Sequence, residues 1–382
     1  MKFSLFETQI KDLTEEEPPV KIALFLPSLA GGGAERVMVY LAESFAERGF
    51  DTDLVLANAH GPYLSLVDQQ VQIIDLNSTR VLASLLPLVR YLKREKPRAV
   101  LSTINHANLI AVLAHALAGS PGKGVVVRVA NHVSAELALS SGIRDRATVA
   151  LVRYVYPWAD EIIAVSKSVA DDLVQTFRLP PEKVSVVYNP ALTTDLADKI
   201  NQPLTHPWFA PDEPPVILAA GRLARLKDFP TLIKAFARII TSRPARLLIL
   251  GEGDARIELE RLINSLGLAD QVELPGFMDN PFCYMAQSSL FVSTSLSDGM
   301  PNTLLQALAC GTPVIATDCP GGSREILAGG KWGKLVPVGD VEALAEAMLA
   351  SLQGHIQRPT AEELEKRFRL DAIVEQYLSL LV

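Results

Sequence analysis

The chain has 382 residues, 49% hydrophobic and 21% charged, with a formal net charge of −7. That length exceeds one ordinary domain and suits two of roughly 150–200 residues, and the acidic balance argues against a general nucleic-acid binder. Three cysteines, Cys283, Cys310 and Cys319, with no C-x-x-C pair, speak against a disulfide framework or a zinc site and fit a reduced, cytoplasmic setting.

The opening MKFSLFETQIKDLTEEEPPVK lacks the apolar core of a signal peptide, and Glu15, Glu16 and Glu17 interrupt it. No run of about 18 apolar residues follows, so no membrane-spanning helix is expected. From Lys21 the pattern is strand, helix, strand. KIALFLPSL is a short apolar run ended by turn residues, and GAERVMVYLAESFAERG carries apolar residues at helical spacing up to Gly49. TDLVLA and VQIIDL read as strands, with Asp51-Thr52-Asp53 as turn chemistry in front of the first. SLLPLVRYLKREK reads as a helix closed by Pro97. AVLST, GVVVRVAN, EIIAVS and VSVVYN read as further buried strands with helices between them. Strands this apolar, alternating with helices, imply a parallel sheet covered on both faces.

Between Ser78 and Arg153 eleven Lys and Arg stand against three acids. Together with the apolar stripe of VLASLLPLVRYLKREKPR, this basic face suggests a phospholipid surface, with solvated helix faces as the plain alternative. A break follows: Asn201 to Pro215 holds five prolines and no periodicity, the composition of a linker. The alternation then restarts with VILAAG, FPTLIKAFARII, ARLLILG, ARIELERLINSLG, QVELPG, SLFVSTS, TLLQALACG and TPVIATD, a second doubly wound domain. DVEALAEAMLASL and AEELEKRFRLDAIVEQYLSLL close the chain as amphipathic helices.

Two such domains form a cleft, and each binds ligands at the carboxyl ends of its strands. After the first strand, GGGAER lets backbone amides approach a phosphate. It matches neither G-x-G-x-x-G nor a P-loop, and a tight turn explains it as well. After the second domain's first strand, GRLARLKD places Arg222 and Lys227 where a diphosphate would sit: Arg grips in a bidentate manner and Lys acts as a point charge. Two solvated surface cations are the alternative. LGEGD and LPGF leave room for a flat ring bordered by Phe277, or are ordinary turns. NHVS puts His132 after another strand, where it suits a sugar hydroxyl or a phosphate, although most lone histidines bind nothing. LSDGMPNTLLQAL runs from a loop with Asp298 and Gly299 into an apolar helix. No cluster of carboxylates calls for a metal.

GGGAERVM, GRLARLKDFPTLIKAFA, LGEGD, LPGF and SDGMPNTLLQALACGTPVIATDCPGGSREI occur in an order that resembles the family-four, retaining, nucleotide-sugar-dependent glycosyltransferases of the GT-B fold. The likeness covers nearly all the chain from Lys21. It implies an α/β architecture of two doubly wound Rossmann-like domains facing across a cleft: an acceptor domain over 1–195 and a donor domain over 196–359, with a helix at about 360–382 placed to pack back onto the first. It further implies that Arg222 and Lys227 hold the donor diphosphate. The amides of Met300, Asn302, Thr303 and Leu304 would face the diphosphate and donor sugar, with Pro301 in the first helical turn. Gly32 and Gly33 would close over the phosphates. Gly221, Gly253, Gly276, Phe277 and Gly299 would shape the donor site, and His132 would be the cleft histidine. The family pairs two glutamates eight positions apart; here Asp298 and Gln306 stand instead. Asp is one methylene shorter, and Gln keeps an acceptor oxygen without the charge. The resemblance points to a UDP-sugar donor, a lipid-linked or oligosaccharide acceptor in bacterial surface-glycan synthesis, no cofactor, no nucleic acid, and a cytoplasmic enzyme peripheral at the membrane. A non-catalytic module and a UDP-sugar isomerase share the architecture and stay open at this point.

Overall fold

A computed structural model of the protein describes residues 19–119, 124–139, 142–190, 192–193, 195–354 and 357–382. The segment read for a signal peptide before residue 19, and Lys123 of the basic run, lie outside the described residues. The first sheet holds β1 (Lys21–Leu26), β2 (Asp51–Leu56), β3 (Gln72–Asp75), β4 (Ala99–Thr103), β5 (Gly124–Val129), β6 (Glu161–Ala164) and β7 (Val184–Val186), all parallel, in the order β3-β2-β1-β4-β5-β6-β7. The second holds β8 (Val216–Ala220), β9 (Arg246–Leu250), β10 (Val272–Gly276), β11 (Leu290–Ser293), β12 (Val314–Thr317) and β13 (Lys334–Val336), again parallel, in the order β10-β9-β8-β11-β12-β13. Each sheet reverses direction beside its own first strand, at β1/β4 and at β8/β11. Such a reversal splays the flanking loops and opens a crevice at the strands' carboxyl ends.

The two-residue period of β1 sorts its side chains. Ala23 and Phe25 enter one core with the helices Leu85–Glu95 and Asn105–Ala118, while Ile22, Leu24 and Leu26 enter another with the helix Gly33–Glu47. That last helix ends where Gly49 adopts a left-handed φ of 85° and donates its amide to the Ala46 carbonyl. The final helix, Leu370–Leu381, returns to the first sheet and buries Ile373, Val374, Tyr377 and Leu381 in the core of β1 and the helix Gly33–Glu47. The largest apolar cluster runs through both domains, with Phe25 and Val127 at one end and Leu218, Leu248 and Leu304 at the other.

Several local readings change. Asp51-Thr52-Asp53 is the start of β2, not a turn. Asp53 is fully buried, 3.3 Å from the Lys21 ammonium, and accepts a 2.5 Å hydrogen bond from the Tyr91 hydroxyl. Burial and that carboxylate push the Tyr91 phenol far above its ordinary range. β13 went unread because its three residues, Lys334–Val336, begin with an exposed lysine and offer no apolar run. Pro301 precedes the helix Asn302–Ala309 as its N-cap rather than occupying its first turn. Arg128, counted in the basic run, points into the core with 0% exposure. Residues 201–215 carry a short 3-10 turn at Pro207–Phe209. They are pinned by Asn280, whose side-chain amide donates to Gln202.

Candidate active site

β8 and β11 are neighbours at the second sheet's reversal, and their following loops supply the charged groups. Arg222 and Lys227 follow β8; Asp298 follows β11. The Lys227 ammonium lies 2.6 Å from the Asp298 carboxylate, with side-chain exposures of 23% and 15%. Arg222 is exposed and makes no ion pair among the described residues. A Cβ on Gly32 would overlap the Glu35 carboxylate and lie 3.1 Å from the Arg222 guanidinium, so this glycine and this cation approach across the cleft. A Cβ on Gly33 would lie 2.8 Å from Asn302 Nδ2, which instead donates to the Gly33 carbonyl at 3.0 Å.

The loop from Asp298 to Pro301 is fixed by backbone. The Asp298 amide donates to Pro320, its carbonyl accepts from Gly322, and it pairs with Gly321 as an isolated parallel bridge. Gly299 meets the first domain: a Cβ there would overlap the Ala130 carbonyl and lie 3.0 Å from Asn131 Cα. The first helical bond runs from the Leu305 amide to the Pro301 carbonyl, so the amides of Asn302, Thr303 and Leu304 come before it. Leu304 buries its side chain completely and offers only backbone; Met300 is buried as well. Thr303 and Gln306 are half-buried.

The remaining glycines divide by cause. A Cβ on Gly221 would lie 3.3 Å from the Lys227 side chain, so its absence leaves Lys227 its path along the loop. Gly253 packs on the Leu223 carbonyl, and Gly276, at a φ of 96°, lies where a Cβ would come 2.9 Å from Glu252. Phe277 is 42% exposed, its ring 6.4 Å from that of Tyr63 in the first domain. Tyr63 in turn donates to the Gly31 carbonyl, under the Arg36 guanidinium.

His132 is placed differently from the cations. Its Nδ1 lies 3.4 Å from the buried Asp172 carboxylate, and the ring, 15% exposed, lines a chamber of about 590 Å³ between the domains. Lys167, Asp171, Asp318, Arg324 and Glu325 also line that chamber; Arg222 and Lys227 do not. Sequence reading missed Glu325, whose two carboxylate oxygens accept the amides of Lys167 and Ser168 at 3.0 Å each, clasping one domain to the other. It also missed Asn189, which donates to Asn302 Oδ1 at 2.7 Å. Neither carries a spacing signal, because their partners in the opposite domain lie more than a hundred residues away. Among the described residues no group of three or more His, Cys, Asp or Glu is placed to hold a metal, and no helix is long and apolar enough to cross a membrane.

Two parallel-sheet domains with charged loops converging at a strand reversal define the GT-B architecture of sugar transferases. Residues 31–193 match the family described as Glycosyltransferase Family 4, and residues 214–354 the one described as Glycosyl transferases group 1. A Campylobacter jejuni relative, N-acetylgalactosamine-N,N'-diacetylbacillosaminyl-diphospho-undecaprenol 4-alpha-N-acetylgalactosaminyltransferase, is 30% identical over 346 residues, covering 87% of this chain and 90% of that protein. The amylovoran biosynthesis glycosyltransferase AmsD of Erwinia amylovora is 26% identical over 78% of this chain and 80% of its own length. The crystal structure of HepE of Anabaena with UDP and glucose superposes with a TM-score of 0.75 at 21% identity, covering 95% of this chain and 99% of that one. The chain belongs to the family-four glycosyltransferases.

Proposed function

We propose that this transferase moves a sugar from a UDP-sugar, with retention and without a metal, to a hydroxyl of a lipid-linked or polysaccharide acceptor. The observation that carries the reading is the unpaired Arg222 guanidinium facing Gly32 beside the Lys227–Asp298 pair, at the mouth of a helix with open amides. As the bond from sugar carbon to phosphate oxygen breaks, its electron pair passes to the diphosphate. Arg222, Lys227 and the amides of Asn302 to Leu304 are preorganised to meet that charge. The acceptor oxygen attacks from the face the diphosphate leaves and gives its proton to the departing phosphate, so configuration is kept. Lys227 starts paired with Asp298 and turns part of its charge to the incoming phosphate, leaving Asp298 oriented toward the sugar. Gly32, Gly33, Gly221, Gly253, Gly276, Phe277, Gly299, Met300, Thr303 and Gln306 frame the donor. His132, oriented by Asp172, faces the acceptor side. UDP is favoured because HepE, of like fold, binds it; a lipid-linked acceptor is favoured by the Campylobacter relative. The basic helical face of the first domain is proposed to meet an anionic membrane that carries the acceptor.

The test is a panel of nucleotide sugars with Arg222→Ala. The wild-type protein is expected to hydrolyse or transfer from UDP-sugars in EDTA, with the anomeric configuration kept by NMR. The variant should lose about a hundredfold or more in kcat at unchanged melting temperature, since Arg222 is exposed. Normal turnover in the variant would reject this site; interconversion of two UDP-sugars without transfer would make the protein an isomerase.

A further inference from the structure

Arg128 is the fifth residue of β5, a strand whose six residues are all buried. Its guanidinium donates to the Tyr377 hydroxyl at 3.0 Å, to Thr103 Oγ1 at 3.1 Å and to Asn189 Oδ1 at 2.5 Å. All three partners are neutral. Among the described residues no carboxylate pairs with it; a buried cation without a counter-ion is costly, and an apolar side chain would suit this strand better. Stability alone gives no reason for the residue; the direction of its hydrogen bonds does. A guanidinium only donates, so Asn189 must turn its oxygen toward Arg128 and its NH2 group away. That NH2 donates to Asn302 Oδ1 at 2.7 Å and to the Met300 carbonyl at 3.4 Å. Asn302 is then oriented in turn: its oxygen faces Asn189 and its NH2 donates to the Gly33 carbonyl. One buried charge thus sets the polarity of two amides in series. The second ties the first turn of the donor helix to the glycine loop of the opposite domain.

We propose that Arg128, acting through Asn189, is a positioning residue that holds the helix Asn302–Ala309 in register with Gly33 and so keeps the cleft closed over the donor. The placement of the donor rests on the transferase reading above; the closure does not. Asn189→Asp separates the two roles. A carboxylate gives Arg128 a counter-ion but cannot donate. Asn302 then either meets it oxygen to oxygen, or flips and turns its own oxygen on the Gly33 carbonyl. In either arrangement one of the two bonds that Asn302 makes across the cleft is lost, and the bond to the Met300 carbonyl is lost in both.

The variant is expected to melt at or above the wild-type temperature, to show a larger radius of gyration by small-angle X-ray scattering, and to bind UDP about tenfold more weakly. Unchanged radius and UDP affinity at a normal or raised melting temperature would overturn the proposal and leave Arg128 a packing residue. Asn302→Ala, which leaves Arg128 and Asn189 in place, is the second variant should Asn189→Asp fail to fold. The same opening and weakening are expected of it, and wild-type values would count equally against the relay. A wild-type protein that binds no UDP would sink the donor assignment, while the scattering comparison still decides the closure.

Discussion

Glu43 is a carboxyl held against its preference. Burial pushes its pKa up to about 6, against the hydrogen bond it accepts from the Asp68 amide. In the unfolded chain the same group ionises near about 4.3. The folded state therefore holds the proton more tightly between those values. Stability from this residue is present below the unfolded pKa and declines as pH rises through the folded one. Glu43→Gln keeps an acceptor for the amide and removes the charge. Its melting temperature is expected to exceed wild type above about pH 7 and to converge with it below about pH 4; a scan of melting temperature against pH checks this. A variant no more stable at high pH would mean that water already reaches the carboxylate. Residues of this kind are invisible in sequence, because a glutamate in a helix reads as a solvated one. Arg222 and Lys227 stood out in the sequence because two cations just past a buried strand suit a diphosphate; the structure places Lys227 against Asp298 and Arg222 beside Gly32. Arg128 was counted with the basic run although it stands inside the apolar stretch GVVVRVAN, and nothing in its spacing points to Tyr377, 249 positions away.

At the scale of elements, the joint between the domains is backbone against backbone. Gly299 lies against the Ala130 carbonyl, and a methyl group there has no flexible side chain to displace. Gly299→Ala is expected to wedge the loop after β11 away from the loop after β5. Turnover should fall tenfold or more, by about the weight of one lost interdomain alignment, while circular dichroism stays native, since no core residue changes. Gly49→Ala is the control: a Cβ there meets nothing within 4 Å, and its left-handed φ costs only about 1 kcal/mol. Equal turnover in the two variants would show that the Gly299 contact does not set the catalytic geometry. Buried strands such as Val216–Ala220 were plain in the sequence as unbroken apolar runs. Asp51–Leu56 was half hidden, because its first acid is neutralised by Lys21 from the neighbouring strand, a pairing that only the register of β1 against β2 creates.

For the whole molecule, the chain's end completes its beginning, and the two faces of the first sheet take different work. One is closed by the returning helix Leu370–Leu381; the other carries the helices Leu85–Glu95, Asn105–Ala118 and Ile143–Val155 side by side. These helices expose Leu86, Leu117, Leu151 and Tyr154, and the 3-10 turns flanking the first and last of them expose Leu82 and Trp158. Arg80, Arg90, Lys93, Arg94, Lys96, Arg98, Arg146 and Arg153 are exposed along the same stretch. Six large apolar side chains and eight cations exposed between residues 80 and 158 of an acidic protein are the groups proposed to meet the headgroups and the acyl boundary of an anionic bilayer. Losing Arg128 to the core leaves that match intact, because the remaining cations lie outside it. The protein is expected to sediment with phosphatidylglycerol vesicles, to stay in solution with phosphatidylcholine ones, and to detach as salt rises. Arg90→Glu with Lys93→Glu should weaken binding by about a thousandfold, at roughly 1 kcal/mol per charge removed and as much again per charge reversed. Leu86→Ser with Trp158→Ser should weaken it without changing its salt dependence, since those side chains act by burial. Equal sedimentation with both lipids would mean that the cations play no part in membrane binding, and none with the anionic one at low salt would mean that this face serves solvent alone and that the acceptor reaches the cleft from solution.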